Sequence, residues 1–184
     1  MLCFIAATGW SRIFLPTPTG LRVAHTPLIV DIGGRTLRFH LAKSNALYGS
    51  LDGGAALALI EGPNAYVSAN WYADPNRHVP TWNYVAVEVE GPVKQLDASA
   101  LAPLLDDLAA ANEPLVGENW SRAAFDLARF NAMTGAIGAF EMNISAIRGT
   151  RKLSQNEPHA IAGLADGVAA SGAVDLAALM RSAG

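Results

Sequence analysis

Aromatic rings alternate with amide and hydroxyl groups in one stretch of this 184-residue chain, between residues 62 and 91. The side chains concerned are the aromatic Trp71, Tyr72, Trp82 and Tyr84 and the polar Asn70, Thr81 and Asn83. Planar rings beside hydrogen-bonding groups suit a flat polar heterocycle, which is bound by stacking and a few directed hydrogen bonds. Aromatic pairs are also common in ordinary sheets, so the pattern is equally compatible with an aromatic hairpin packed into a core.

A second polar group follows a predicted strand. Lys43, Ser44 and Asn45 come directly after the alternating residues 36–41 and open a predicted short helix at 42–51, with Ser44 as the candidate N-cap. Backbone N–H groups at such a junction favour a phosphate, and Lys43 adds a positive charge. A capped helix with an exposed lysine is common, so a purely structural role is the alternative.

Other kinds of site are not indicated. The four histidines lie far apart, and the single cysteine, Cys3, excludes a disulfide framework and a cysteine-based zinc site. No Gly-x-Ser-x-Gly motif frames a serine, and no Gly-x-Gly-x-x-Gly fingerprint follows a predicted strand. We therefore assign no metal ligand and no catalytic residue.

The charge distribution does not favour a DNA-binding surface. The formal net charge is -3 and the 13 lysines and arginines are scattered, apart from Arg148, Arg151 and Lys152. A duplex-binding surface concentrates many basic groups on one face, so we expect no direct DNA binding. One bound phosphate explains the small basic cluster more simply. Glu88 and Glu90 alternate along a predicted strand, and we expect them to face solvent.

Length and composition indicate one globular domain over residues 1–184, with a helical tail from about residue 158. Hydrophobic residues make up 51% of the chain and charged residues 16%. No apolar run has the length of a membrane span, and residues 1–7 lack the basic segment of a signal peptide. We expect no membrane association and a cytoplasmic location.

The elements that position these residues are mainly strands. Strands are predicted at residues 2–8, 21–30, 36–41, 55–61, 66–72, 84–90 with an extension to 96, and 137–147, with a loop at 9–20 and a turn at 31–34. The strand at 55–61 is apolar on both faces, and 66–72 forms a hairpin with 84–90. Helices are predicted at 42–51, 99–112, 121–133 and within 158–184. The fold class is thus mainly β with flanking helices (α+β), arranged as a barrel.

The motif WY followed by VPTWNY, with HLAKSN upstream and KLSQN downstream, resembles the FMN-binding negative transcriptional regulators, the PaiB-like family. The resemblance extends from about residue 21 to about residue 164. It implies an FMN-binding split β-barrel of the kind found in pyridoxamine-phosphate oxidases and flavin reductases. It also implies a homodimer with FMN at the subunit interface. We expect FMN in preference to FAD or NAD(P), because no Gly-x-Gly-x-x-Gly fingerprint follows a predicted strand.

The resemblance further implies which residues bind the flavin. The positions that match its phosphate-binding residues are His25, Thr26, His40, Lys43 and Asn45. Those that match the stretch covering the isoalloxazine ring from the partner subunit are Trp82, Asn83 and Tyr84, and those of the C-terminal motif that closes the site are Lys152, Ser154, Gln155 and Asn156. The chain departs from the family where Lys43 replaces an arginine, which gives up bidentate phosphate binding, and also at Ala69-Asn70, Glu88 and Thr150-Arg151.

Three functions are compatible with this sequence. The first is a flavin-binding negative regulator of transcription, or a sensor of a redox state or metabolite. The second is an FMN-dependent oxidoreductase that acts on a small molecule. The third is a barrel without a cofactor that serves as an interaction module.

Overall fold

The structure, a computed structural model, describes residues 1–31 and 33–183. These residues contain seven strands and six α-helices, joined by turns and loops. The strands are β1 (Trp10–Thr17), β2 (Gly20–Val30), β3 (Thr36–Ala42), β4 (Ala55–Val67), β5 (Thr81–Gln95), β6 (Ile137–Asn143) and β7 (Ala146–Lys152). The helices are α1 (Leu2–Thr8), α2 (Tyr48–Leu51), α3 (Leu101–Asn112), α4 (Leu127–Thr134), α5 (Ile161–Ala170) and α6 (Val174–Arg181).

The chain divides into two compact units. Unit 1 comprises residues 1–60 and 88–148, and unit 2 comprises residues 61–87 and those from 149 onwards. Strands β4, β5 and β7 each run from one unit into the other. A single domain over the whole chain stays a prediction.

The strands form one sheet in the order β4-β1-β2-β3-β6-β5-β7, and β4 also pairs with β5. The second pairing of β4 closes the first six strands into a ring, which removes their free edges. The ladders β1–β2, β1–β4, β2–β3, β3–β6 and β5–β6 are antiparallel. This ring with flanking helices confirms the predicted fold class.

The core of unit 1 follows from strict alternation. Leu37, Phe39 and Leu41 of β3 are buried as predicted, and Phe39 stacks on Phe140 of β6 with ring centroids 5.7 Å apart. Each such side chain contributes about 1.5–3 kcal/mol when it is fully buried. The position of β3 is therefore fixed by its inward face, which leaves its outward face available for other contacts.

Helix α3 covers that outward face. The predicted apolar stripe of Leu101, Leu104, Leu105 and Leu108 packs with Ala139 of β6, although Leu105 is only partly buried. The guanidinium of Arg38 in β3 donates to the carboxylate of Asp107 in α3 at 2.7 Å. Because His40 lies directly opposite Ala139 in the β3–β6 ladder, its side chain shares this covered face.

The N-terminal prediction is wrong in two places. Leu2–Thr8 form a helix and not a strand, because a short apolar run fits both periods, and Gly9 ends the helix with φ 61°. The predicted loop at 9–20 contains β1. Pro16 is tolerated there because it lies beyond residues 12–14, where β1 pairs with β4.

Three strand predictions need correction. The strand at 55–61 alternates instead of being buried on both faces, with Leu57 and Leu59 half-buried on its outward side. The strand predicted at 66–72 ends at Val67, because the hydroxyl of Ser68 accepts the N–H of Asn70 and starts a 3-10 turn. The strand predicted at 137–147 is two strands, since residues 144 and 145 donate their N–H groups to residues 35 and 90.

Three helix predictions also change. The helix at 42–51 is only the four residues of α2. The helix at 121–133 is reduced to α4 after a 3-10 turn, because the carboxylate of Asp126 accepts the N–H of Arg129 and caps the helix there. The tail contains α6 as predicted and also α5, whose Gly163 and Gly167 lower its helix propensity. The turn predicted at 31–34 includes Ile32, which lies outside the described residues.

Candidate functional site

The residues predicted to hold the phosphate lie in unit 1, but not on one face. In β2, His25 is exposed on the outward face, whereas Thr26 is buried on the opposite face. The Thr26 hydroxyl lies 2.7 Å from the carbonyl oxygen of His40 and donates to it. Thr26 therefore ties β2 to β3, and its donor hydrogen is already engaged.

His40 carries an unusual orphan atom. Its Nδ1 is buried and has no hydrogen-bond partner in residues 1–31 and 33–183. Burial lowers the pKa of the His40 imidazole, which keeps the ring neutral near pH 7. Most buried polar groups are hydrogen-bonded, so an unpartnered ring nitrogen indicates that a ligand or water completes the site.

The segment after β3 is an Asx turn and not a capped helix. Asn45 Oδ1 accepts the N–H of Leu47 at 2.9 Å, and α2 begins only at Tyr48 without a side-chain cap. The predicted N-cap role of Ser44 is therefore wrong, and a helix of four residues offers little dipole for an anion. Lys43 is exposed, and its ammonium group has no ion pair among the described residues.

The aromatic residues of β5 lie in unit 2. Trp82 is 50% exposed, donates its Nε1–H to Asn64 Oδ1 at 3.2 Å and meets Tyr66 edge to face at 6.2 Å. Tyr84, two residues on, shares the exposed face of the strand. Sequence analysis did not assign Tyr66 or Asn64 to the site. The signal available was the period-2 alternation of β4, which places these two residues on the same side of the strand.

Asn83 points the other way and is fully buried. Its Nδ2 donates to Ser154 Oγ at 2.9 Å and to Met180 Sδ at 3.6 Å, which uses both amide hydrogens. Ser154 has φ 60°, in the left-handed region, and its hydroxyl also lies 3.3 Å from Asn83 Oδ1. The structure thus brings VPTWNY and KLSQN together, but through residues that bond to each other.

The rest of the C-terminal motif is also bonded internally. Lys152 Nζ donates to the hydroxyl of Thr81, again linking the two motifs. The Gln155 amide bridges its own loop, accepting from the N–H of Leu153 and donating to the carbonyl of Arg151. Asn156 is exposed.

The aromatic residues outside β5 form a separate group. Tyr72 stacks on His78 with ring centroids 3.8 Å apart and planes at 8°. Trp71 lies against α5, where a Cβ on Gly167 would come within 2.3 Å of the indole ring. The aromatic residues of 62–91 therefore form two groups. Trp82 lies with Tyr66 and Tyr84 on exposed strand faces, and Trp71 lies with Tyr72.

Glu88 and Glu90 do not simply face solvent. The guanidinium of Arg148 donates to both carboxylates, and this contact with Glu90 first, then with Glu88, raises the pKa of Arg148. Arg148 is therefore neutralised within unit 1. This pairing removes one member of the basic cluster predicted at residues 148–152.

Residues 1–146 match the family model described as "Putative FMN-binding domain". The chain belongs to this FMN-binding family. A relative in sequence is the Protease synthase and sporulation protein PAI 2 of Bacillus subtilis (strain 168), 33% identical over 105 residues. That match covers 54% of this chain and 47% of PAI 2, so the chain spans about half the length of its curated relative.

Two solved structures show the same fold. The flavocytochrome Anf3 from Azotobacter vinelandii has a TM-score of 0.63 at 16% identity, covering 81% of this chain and 64% of Anf3. The FAD and heme binding protein from Mycobacterium smegmatis has a TM-score of 0.55 at 12% identity, covering 81% and 68%. The predicted PaiB-like resemblance, the split-barrel fold and FMN as the cofactor are confirmed.

The residues present fit an FMN-type ligand. Unit 1 offers an unpaired cation, Lys43, and the orphan Nδ1 of His40, both of which suit a phosphate. Unit 2 offers an exposed aromatic surface for a ring. Within the described residues no helix is long and apolar enough to cross a bilayer, and no three His, Cys, Asp or Glu side chains are grouped to hold a metal.

Proposed function

We propose that this protein binds FMN as a homodimer and acts as a regulatory sensor. The observation that carries the proposal is the buried His40 Nδ1 of β3, which has no hydrogen-bond partner among the described residues, with the exposed and unpaired Lys43 directly after the strand. His25 is exposed on the outward face of the neighbouring strand. A dianionic phosphate would satisfy these groups by charge and by hydrogen bonding.

The proposed ring contacts are Trp82 and Tyr84, with Tyr66 beside them. Their half-exposed rings provide a stacking surface, and Asn64 fixes the indole orientation. When bound, FMN supplies reversible electron or hydride acceptance, and the chain supplies binding, orientation and electrostatics. Lys152 and Asn156 are proposed to contact the flavin from the C-terminal motif, whereas Thr26, Asn83, Ser154 and Gln155 are proposed to support the site.

Dimerisation is supported by an apolar face in unit 1. Outward side chains of β1, β2 and β4 line a groove of about 630 Å³, among them Phe14, Leu21 and Leu57. The ladders place Phe14 between Val23 and Leu57, and Leu21 is 65% exposed and Val23 43%. A second subunit would cover this continuous apolar surface.

Phosphate binding is tested with Lys43→Ala. The variant should bind FMN more weakly by about 1.5–3 kcal/mol, the value of one charge-assisted hydrogen bond, and should bind riboflavin unchanged because riboflavin lacks the phosphate. Flavin fluorescence quenching measures both affinities, and Arg129→Ala in α4 is a control for the loss of an exposed cation outside the predicted site. Equal losses for the two ligands would show that Lys43 supports structure.

The subunit arrangement is tested with Leu21→Glu and with mixed dimers. A charge at position 21 should shift the mass measured by light scattering from dimer to monomer, and a monomeric wild type would refute the dimer. Mixed dimers of Lys43→Ala and Trp82→Ala subunits should regain one high-affinity FMN site, because the phosphate set of one subunit then meets the intact aromatic set of its partner. No recovery would place each site within one subunit.

The regulatory role rests on the name of the B. subtilis relative, a sporulation protein. We propose that the protein acts in the cytoplasm. We also propose that it does not bind duplex DNA directly, because its net charge is -3 and Arg148 is engaged by Glu88 and Glu90. A gel shift against the upstream region of its own gene at about 150 mM salt tests this. A discrete complex that survives excess nonspecific DNA would contradict it, and steady NAD(P)H oxidation by the FMN-loaded protein would favour the oxidoreductase.

A further inference from the structure

Unit 2 contains a cavity to which none of the predicted flavin residues contributes. Its volume is about 650 Å³, and it lies between the β4–β5 connection and the segment that leads into α5. The residues that line it are Trp71, Tyr72, Ala73, Asp74, Arg77, His78, Glu157, His159, Ala160 and Gly163.

Charges of both signs line the cavity without neutralising each other. Arg77 makes no ion pair with Asp74 or Glu157, nor with any other carboxylate among the described residues. Asp74 Oδ1 accepts the N–H of Asn76, which leaves its second oxygen unused, and Glu157 has only a weak contact from Asn156 at 3.5 Å. Elsewhere in unit 2 Arg181 pairs with Asp166 at 2.7 Å.

The walls of the cavity are aromatic and held in place. The parallel stack of Tyr72 on His78 forms one wall, and Trp71 is seated against Gly167 of α5. The side chains of Ser68 and Asp74 cap the two 3-10 turns that carry these rings. The aromatic wall is therefore positioned before any ligand binds.

We propose that this cavity binds a small zwitterion that carries a ring, of the α-amino-acid type. Arg77 binds its carboxylate, Glu157 and the second oxygen of Asp74 bind its ammonium group, and the ring lies against the aromatic wall. The cavity thus gives the protein a second ligand site, made of residues other than those predicted to bind the flavin.

Three probes separate the two charged contacts. L-phenylalanine carries both groups, 2-phenylethylamine lacks the carboxylate, and 3-phenylpropionate lacks the ammonium group. Calorimetric titration of the FMN-loaded protein should show saturable 1:1 binding that is tightest for L-phenylalanine. Arg77→Ala should weaken the binding of L-phenylalanine and 3-phenylpropionate by about tenfold and leave that of 2-phenylethylamine unchanged. Glu157→Gln should weaken the binding of L-phenylalanine and 2-phenylethylamine and leave that of 3-phenylpropionate unchanged.

A blocking variant tests the cavity without changing a charge. A Cβ on Gly163 would meet only the Trp71 carbonyl oxygen at 3.6 Å, an ordinary contact, so Gly163→Met should fold, place its side chain in the cavity and weaken L-phenylalanine binding while FMN affinity is kept. Arg151→Ala should leave all three probes unaffected. No saturable binding up to about 10 mM, or equal loss of all probes in Arg77→Ala, would overturn the proposal whatever the flavin affinity.

Discussion

Replacing Asn83 by alanine tests whether this residue supports the fold or binds the flavin. The side chain is 0% exposed, and its amide donates to Ser154 Oγ at 2.9 Å and to Met180 Sδ at 3.6 Å. The substitution removes about 1 kcal/mol for a net hydrogen bond and leaves the buried Ser154 hydroxyl unsatisfied, at about 1–3 kcal/mol. We therefore expect the free energy of unfolding to fall by about 2–4 kcal/mol.

The assay is urea unfolding, followed by tryptophan fluorescence and far-UV circular dichroism. Ser154→Ala and the double variant complete a cycle, in which the coupling energy should be about 1 kcal/mol or more. Asn76→Ala is the matched control, because it makes the same chemical change at an exposed position of unit 2, where, among the described residues, only the backbone N–H of the asparagine is hydrogen-bonded, and it should cost no more than about 0.5 kcal/mol.

A loss for Asn83→Ala no larger than that for Asn76→Ala would refute the structural role. A variant that kept its stability and lost FMN affinity would instead identify Asn83 as a direct ligand. The two readings of this residue are thus separated by measuring stability and flavin affinity on the same protein.

Three further perturbations address packing and titration. Gly91→Ala places a Cβ 1.7 Å from the carbonyl oxygen of Asn143, so urea unfolding should show a loss of about 3 kcal/mol. Hydrogen bonds from the backbone N–H of Thr36 and from further N–H donors lower the pKa of Asp31. The stability that this carboxylate contributes is therefore present at neutral pH and is lost as the pH falls through the lowered pKa. In acid, the free energy of unfolding of Asp31→Ala should decline less than that of the wild type. Burial lowers the pKa of His40, so the imidazole is protonated at a higher pH in the unfolded chain than in the folded protein. Thermal unfolding should therefore show the stability of the wild type falling below about pH 6.5, and that of His40→Gln falling less.

Each of these has a contrary result. A control, Gly49→Ala, has no atom within 4 Å of its added Cβ and should be neutral or slightly stabilising, so equal effects at Gly91 and Gly49 would contradict the packing argument. Parallel pH profiles for Asp31→Ala and wild type would show that the turn does not depend on the carboxylate. An unchanged acid profile in His40→Gln would show that the imidazole is not the titrating group.

Long alternating patterns made much of the fold predictable. The inward residues of β3, the valines of β5 and the leucine stripe of α3 were each specified by several repeats of one period. The errors fall where the pattern is short or is overruled by a local hydrogen bond. The helix at residues 2–8 has too few residues to reveal its period, and the strand before Ser68 ends because of a side-chain bond that the period does not show.

The site was predictable as a set of residues but not as a set of roles. The motifs indicate that polar groups converge, and the contacts of Asn83 with Ser154 and of Lys152 with Thr81 show that they do. A sequence does not state which polar groups are already bonded within the chain. That information requires the hydrogen bonds themselves.

This distinction divides the predicted site into ligands and supports. A buried amide or hydroxyl must be hydrogen-bonded, so Asn83 and Thr26, already satisfied inside the protein, have little capacity left for a ligand. An exposed cation and an orphan ring nitrogen, Lys43 and His40, gain most from a partner that arrives from outside. Because both kinds of residue belong to the same motifs, the supports position the segments that carry the ligands, and substitutions at the two kinds should separate cleanly into losses of stability and losses of affinity.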